Sequence, residues 1–225
     1  TMRSPRRIIF RLSAVLGVLA LALAAAAYAW SLGARAPANP AWHGRTMGTL
    51  YTVKLAGSEW NGFRLRRLQW DVELALRDVN REMSHYQPDS ELFRFNLHSS
   101  PAPFRVSAPL AEVLRFSLDL HRHSGGAFDP TLGALINLWG FGPAGPPTAI
   151  PTTADVARAQ ALCGAGHLAV SPQNEIQKDL PGLQINLGAV AKGYGVDQAA
   201  RVLAAAGVSN FMVEIGGEIV ARGRN

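Results

Sequence analysis

The sequence contains little cysteine, little lysine and a low proportion of charged residues. Cys163 is the single cysteine among 225 residues, which excludes a disulfide within the chain, so the fold must rest on its hydrophobic core. Charged residues make up 17% and hydrophobic residues 48%. This balance is typical of one globular domain accompanied by an apolar segment.

Signatures of several functional classes are also absent. No Gly-x-Ser-x-Gly or Walker pattern occurs, and no Rossmann fingerprint in which a glycine-rich turn joins a predicted strand to a predicted helix, which argues against a hydrolase or a nucleotide kinase of those kinds. His121 and His123 are too close together to share one helix face, and the other histidines have no ligand spacing. A zinc site is therefore not expected.

The positive charge is concentrated at the start of the chain. Five arginines and no acidic residue lie within the first 35 residues, and the remainder has 17 basic against 16 acidic residues. Because the rest of the chain is nearly neutral, it lacks the basic surface that nucleic acid requires. No nucleic-acid partner is expected.

An uncharged apolar run from Leu12 to Leu32 follows four of these arginines. The run is long enough to span a bilayer, and Ala27-Tyr28-Ala29 resembles a signal cleavage site. We expect residues 1–35 to be a signal peptide or an uncleaved membrane anchor, and both possibilities stay open. Residues 36–43 are predicted to be a linker, and the orientation rule for positive charge leaves the following domain outside the cytoplasm.

Hydrophobic periodicity predicts a domain of mixed helices and strands that begins near Trp42. Alternation predicts a strand over residues 49–55, and helical spacing predicts a long helix over residues 65–83. Gly216-Gly217 predicts a two-residue hairpin turn, because both glycines accept positive φ. Further helices are predicted at 91–95, 107–125, 131–138, 154–162 and 191–207, and further strands at 168–170, 183–187, 211–215 and 219–221.

Three glycine-rich stretches that each contain a charged residue indicate ligand chemistry. They are residues 126–133 (GAFDPTLG), 188–194 (GAVAKGY) and 213–218 (VEIGGE). Each lies where a loop meets a helix or a strand, so backbone amides and carbonyls are exposed to a ligand. The second stretch leads into a helix, whose N-terminus attracts anions. Together they indicate phosphate and metal chemistry.

Five motifs carry a resemblance to a known family: TMGT at 46–49, MSHYQPDSEL at 83–92, AFDPTLGALINLWGFG at 127–142, AKGY at 191–194 and IGGEIVARG at 215–223. In this order and spacing they resemble the ApbE family of FAD:protein FMN transferases, from about Gly44 to the end. The resemblance implies an ApbE-like α+β fold. Because that family continues past the position that matches Asn225, it also implies that the C-terminal part is missing, with a histidine and the aspartate and threonine side chains of a metal site.

The resemblance implies a magnesium-dependent transferase that cleaves FAD, attaches FMN to a threonine or serine of a target protein and releases AMP. Its acceptor would be a flavoprotein subunit of a membrane redox complex, on the periplasmic side of a bacterial inner membrane. The resemblance also implies site residues. The FAD site would include Met47, Tyr86, Ala127, Phe128, Asp129 and Lys192, and the Ala189 carbonyl would bind Mg²⁺.

Each of these assignments has a structural alternative. Without the resemblance, Met47 and Tyr86 favour core or rim positions, and Asp129 before Pro130 is a common turn former. Two functional alternatives also stay open. The chain could be an FAD pyrophosphatase that yields FMN and AMP without an acceptor protein, or a protein that binds FAD without chemistry.

Overall fold

The computed structural model describes residues 17–28, 38–57 and 60–224. Residues 17–28 are helical, and their side chains are exposed. The rest of the predicted signal or anchor lies outside the described residues. Across the described ranges, no helix combines the length and the apolar character needed to cross a membrane.

The described domain mixes helices and strands, as predicted. Its strands are β1 (Ala41–Thr46), β2 (Thr49–Leu55), β3 (Phe104–Arg105), β4 (Leu168–Val170), β5 (Glu175–Lys178), β6 (Phe211–Ile215) and β7 (Glu218–Arg222). Its α-helices are α1 (Gly62–Met83), α2 (Glu91–Leu97), α3 (Ala108–His123), α4 (Gly133–Leu138), α5 (Thr153–Gln160) and α6 (Ala191–Ala205).

The larger sheet is antiparallel and has the strand order β1-β2-β6-β7. Its two outer pairs are closed by the two-residue turns Met47-Gly48 and Gly216-Gly217, whose four φ angles lie between 49° and 98°. Positive φ at both turn positions matches the twist of the flanking strands. The turn predicted at Gly216-Gly217 is therefore confirmed. β1 begins at Ala41, inside the predicted linker.

Helices α1 and α6 pack against the larger sheet. Helix α1 begins after Asn61, whose side chain accepts a hydrogen bond from the Arg64 amide, and its buried residues recur every three or four positions. Burying each large aliphatic side chain stabilises the fold by about 1.5–3 kcal/mol. This first core contains Leu68, Val72 and Leu76 of α1, Val196, Ala199 and Leu203 of α6, and Tyr51, Val53, Phe211, Val213 and Ile215 of the sheet.

A second core lies at the C-terminal end of α1. There α2 and α3 pack with the small antiparallel sheet of order β3-β5-β4. The predicted caps of these helices are confirmed, because the Ser90 and Ser107 hydroxyls accept bonds from amides in the first turns of α2 and α3. Thr152 caps α5 in a capping box with Asp155. Met47 packs against both cores, so the β1-β2 turn lies where they meet.

The predicted strand over residues 183–187 is wrong. Leu183, Ile185 and Leu187 are buried, which explains the alternating pattern, but the segment forms no ladder among the described residues. A single parallel bridge joins Gln184 to Leu132. Several of its other backbone groups bond to side chains and to loop backbone, which satisfies them without a neighbouring strand.

Asn96 and Lys178 supply the side-chain bonds. The Asn96 side chain donates to the Ile185 carbonyl at 2.9 Å and accepts from the Ile185 amide at 2.8 Å. The Lys178 ammonium donates to the Leu183 carbonyl at 2.8 Å and to the carbonyls of Phe95 and Asn96 at 3.3 Å. Burial lowers the pKa of Lys178 to about 8. β5, which ends in this lysine, was not predicted, because a lysine does not indicate a buried position.

Replacing Asn96 by alanine is expected to lower the free energy of unfolding by about 2–4 kcal/mol, because two buried backbone groups of Ile185 lose their partners. The measurement is urea unfolding at neutral pH. Leu97→Ala is the control: this neighbour is 71% exposed, and its loss should stay within about 0.5 kcal/mol. Equal losses for Asn96→Ala and Leu97→Ala would contradict this stabilising role of the Asn96 side chain.

Candidate active site

A cleft of about 1300 Å³ opens between the β1-β2 hairpin, α1 and the start of α6. Its walls include residues 44–49 of the hairpin, residues 84–87 after α1, and residues 186–188 and 191–192 before and within α6. These segments are distant in sequence and meet where the two cores join. Met47, Tyr86 and Lys192, three of the predicted site residues, all line this cleft.

Met47 occupies the first position of the β1-β2 turn. Its φ is 49°, a left-handed value that is uncommon for a residue with a side chain and that marks a constrained position. A Cβ placed on Gly195 of α6 would lie 2.5 Å from the Met47 methyl carbon. Gly195 therefore makes room for the Met47 side chain at the edge of the cleft.

Tyr86 is presented by a tight turn after α1. The Ser84 hydroxyl accepts hydrogen bonds from the amides of Tyr86 and Gln87, both at 3.1 Å, and the Ser90 hydroxyl donates to the Ser84 carbonyl. Tyr86 is 53% exposed, and its hydroxyl donates to the Phe141 carbonyl at 2.7 Å. An exposed ring anchored at its polar end can stack on a flat ligand.

His85 and Asn186 form a part of the site that sequence reasoning missed. The Asn186 amide nitrogen donates to His85 Nε2 at 3.2 Å, and Asn186 Oδ1 accepts from the Gly188 amide at 2.8 Å. Burial lowers the pKa of His85, so the imidazole is neutral at neutral pH and its Nε2 can accept. Both residues line the cleft. The polar position of Asn186 between two buried hydrophobic residues was the available signal.

Lys192 lies in the first turn of α6. The N-cap residue Val190 makes no side-chain cap bond, and the Ala191 amide donates to the Leu187 carbonyl, so the Lys192 and Gly193 amides are the first-turn groups left to bind an anion. The Lys192 ammonium donates to the Gly216 carbonyl at 3.3 Å, which places it beside the β6-β7 turn. A cation at a helix N-terminus opposes the macrodipole, and a bound anion would offset that cost.

The opposite side of the cleft is lined by Tyr51 and Glu73. The Tyr51 hydroxyl donates to a Glu73 carboxylate oxygen at 3.4 Å. Burial, with the nearby Glu73 charge, raises the pKa of Tyr51 to about 12, so the phenol stays protonated. Asn80 joins this side to the hairpin, because its amide nitrogen donates to the Thr46 hydroxyl at 2.9 Å.

The predicted contact loop Ala127-Phe128-Asp129 does not line the cleft. Asp129 instead accepts hydrogen bonds from the amide and the hydroxyl of Thr131 at 2.7 and 2.5 Å, and the Phe128 carbonyl contacts His121 Nδ1 at 2.8 Å. These bonds close a local turn. The loop is nevertheless joined to the cleft segment, since the carbonyl of Pro130 accepts from the Asn186 amide. A contact of residues 127–129 with FAD stays a prediction.

The predicted metal ligand Ala189 is exposed and lies between lining residues Gly188 and Ala191. Within residues 17–28, 38–57 and 60–224, no group of three histidine, cysteine, aspartate or glutamate residues could hold a metal ion. The role of the Ala189 carbonyl as a metal ligand stays a prediction.

The charge of the cleft suits an anionic ligand. Among the described residues, four cationic side chains and one carboxylate line it: Arg45, Arg77, Arg81, Lys192 and Glu73. Arg81 also pairs with Asp78 of the same helix. A concave site with an excess of one charge raises the local concentration of ligands of the opposite charge. With the Tyr86 ring and the uncapped start of α6, the cleft can bind a molecule that combines a flat ring with phosphate groups.

Solved flavin transferases share this fold. The structure is similar to the flavin transferase ApbE from Vibrio cholerae, with a TM-score of 0.78 at 39% identity, over 85% of this chain and 61% of that one. It is also similar to the apo form of Pseudomonas stutzeri flavinyl transferase ApbE, with a TM-score of 0.75 at 35% identity, over 83% and 62%. The fold is therefore that of the flavin transferases.

The sequence profile described as the ApbE family matches residues 47–225, so the chain belongs to the ApbE family. It is 42% identical to an FAD:protein FMN transferase of Vibrio cholerae over 81% of this chain and 54% of that protein. It is 40% identical to one from Haemophilus influenzae, with the same two shares. The chain thus spans about half the length of the curated relatives it matches. The predicted family and the ApbE-like α+β fold are confirmed.

Gly195→Ala is expected to displace the Met47 side chain without unfolding the domain. The atom in the way is the mobile end of a methionine, and alanine in a helix is favoured over glycine by about 0.5–1 kcal/mol. The measurement is methyl NMR of methionine-labelled protein, which contains four methionines. The Met47 signal should shift, and those of Met83 and Met212 should not.

Gly193→Ala is the matched control, because a Cβ there meets nothing within 4 Å. An unchanged Met47 signal in Gly195→Ala, or an equal shift in Gly193→Ala, would contradict the packing described for this turn.

Proposed function

We propose that the protein is an FAD:protein FMN transferase. In this reaction the hydroxyl oxygen of an acceptor threonine or serine bonds to the phosphorus of the FMN half of FAD. The bond from that phosphorus to the bridging oxygen breaks, AMP leaves with that oxygen, and the hydroxyl proton is released. The curated relatives carry this name, and the chain covers about half of their length, so the activity is a proposal for this protein.

One observation carries the proposal: Met47, Tyr86 and Lys192 come from three distant segments and line one cleft that has an excess of positive charge. The Tyr86 ring suits the flat ring system of a flavin. Lys192 and the start of α6 suit a pyrophosphate. A single ligand that has both parts would contact both groups of residues, and FAD has both.

Lys192 has a specific role in this proposal. As the pyrophosphate breaks, negative charge accumulates on the leaving AMP phosphate, and a fixed cation near that group stabilises the transition state more than the ground state. The lysine is held beside the cleft by the Gly216 carbonyl. The neutral His85 adds no charge, so Lys192 and the arginines of the cleft supply the compensation.

We also propose a requirement for Mg²⁺, with the Ala189 carbonyl as one ligand, since hard cations prefer oxygen ligands that include backbone carbonyls. The described residues do not form a magnesium site by themselves, because no cluster of metal-binding side chains occurs among them. The chemistry derived from these residues is therefore limited to binding, orientation and charge.

The location and the partner are proposals of the same kind. The charge distribution and the apolar run of residues 12–32 support an exported protein on the periplasmic side of a bacterial inner membrane, with residues 1–35 as signal peptide or anchor. We propose that the acceptor is a flavoprotein subunit of a membrane redox complex.

The test incubates the purified protein with FAD, Mg²⁺ and a peptide that contains one threonine. We expect AMP and flavin-labelled peptide in equal amounts, measured by chromatography and mass spectrometry. The matched control peptide has alanine for threonine and should give neither product, and excess chelator should abolish both. AMP without labelled peptide would identify an FAD pyrophosphatase, and FAD binding without AMP would identify a binding protein. Either result would overturn the transferase proposal.

Lys192→Ala is expected to slow AMP formation about 100-fold, the usual loss when one preorganised charge contact is removed, while FAD affinity falls much less. Single-turnover rates and fluorescence titration of FAD separate the two effects. Lys54→Ala is the matched control, because this exposed lysine of β2 does not line the cleft. Equal losses of rate and affinity in Lys192→Ala would contradict the proposal that Lys192 stabilises the transition state.

A further inference from the structure

The outer face of α1 carries large apolar side chains that the core does not bury. Phe63, Trp70 and Leu74 are 61%, 55% and 44% exposed. Their spacing of seven and four residues places them on one side of the helix. The buried residues of α1, which include Leu68 and Val72, lie on the opposite side. The helix therefore has a second apolar stripe that points away from the domain.

Arginines flank this stripe. The Arg66 guanidinium lies 5.9 Å from the Tyr28 ring centroid, and that of Arg77 lies 4.7 Å from the Trp70 ring centroid. In the part of the chain that the structure describes, neither arginine forms an ion pair with a carboxylate. By contrast, Arg67 and Arg81 pair with acids of the same helix. The stripe thus presents aromatic rings together with two arginines that form no ion pair within the described residues.

The Tyr28 contact relates this face to the start of the chain. Tyr28 belongs to the uncharged run between Leu12 and Leu32, and its ring lies over Arg66 of α1. Tyr28 therefore lies beside the stripe. If that run enters a bilayer, the stripe is brought to the level of the lipid headgroups.

We propose that the outer face of α1, defined by Phe63, Arg66, Trp70, Leu74 and Arg77, rests on the surface of an anionic lipid bilayer. Indole and phenyl rings favour the interface between headgroups and acyl chains, and arginines bind lipid phosphates while their stems cover apolar surface. Anionic lipid supplies the charge complementary to Arg66 and Arg77.

The docking would also orient the candidate active site. Arg77 belongs to the outer face and also lines the cleft. Glu73, one turn earlier on α1, lines the cleft as well. A bilayer against this face would hold the mouth of the cleft near the membrane surface, where an acceptor in a membrane complex lies. The docking itself does not depend on the transferase activity.

The test places a polarity-sensitive NBD probe on the full 225-residue chain in vesicles. Cys163→Ser removes the native thiol, and Leu74→Cys or Phe116→Cys then supplies the labelling site. Phe116 is 58% exposed on α3, so it is the matched control away from the stripe. We expect the emission of the probe at position 74 to shift to shorter wavelength with phosphatidylglycerol vesicles, and that at position 116 to stay unchanged.

Two further comparisons isolate the cause. Arg66→Glu with Arg77→Glu should abolish the shift at position 74, whereas Arg105→Glu with Arg222→Glu, two exposed arginines of β3 and β7, should leave it. Each pair changes the charge equally, and the same apolar run is present in each case. A probe at position 74 that is already shielded without vesicles would mean that protein covers this face. That result, an equal response with phosphatidylcholine, or equal responses at positions 74 and 116, would overturn the proposal.

Discussion

The geometry of the cleft depends on how one extended segment satisfies its backbone without joining a sheet. Residues 183–187 bury three hydrophobic side chains, so their amides and carbonyls are taken from water and need partners inside the protein. The Asn96 side chain imitates a neighbouring strand by bonding both backbone groups of Ile185, and Lys178 binds the Leu183 carbonyl. These partners fix Asn186 and Gly188 at the cleft, immediately before α6.

The turn at Met47-Gly48 is the complementary constraint on the other side. A left-handed backbone at a residue with a side chain costs of order 1–3 kcal/mol, and here contacts with both hydrophobic cores offset it. The turn is also joined to α1, because Asn80 bonds Thr46. The hairpin therefore cannot move independently of the two cores, and the wall of the cleft that it forms is preorganised by packing.

Local signals predicted most of the fold. The period of α1, the caps at Ser90 and Ser107 and the Gly216-Gly217 turn depend on residues within a few positions of each other, so the sequence indicates them directly. The non-strand path of residues 183–187 was not predictable, because its partner Asn96 is 89 residues distant. The site residues likewise divide into those that the sequence indicated and those that it did not. Motifs indicated Met47, Tyr86 and Lys192, whereas the contact of His85 with Asn186 spans 101 residues.

Charge is separated within a nearly neutral domain. After the first 35 residues the chain has 17 basic against 16 acidic residues, which leaves no excess for a broad nucleic-acid surface, yet four cations and one carboxylate line the cleft. Helix α1 contributes to this separation on two sides, because Arg77 and Arg81 line the cleft while Arg66 lies on the outer face, to which Arg77 also belongs. Desolvation lowers the pKa of His85, so this imidazole adds no positive charge to the cleft at neutral pH. The attraction for a phosphate ligand therefore arises from where the arginines and Lys192 are placed and does not require a basic protein.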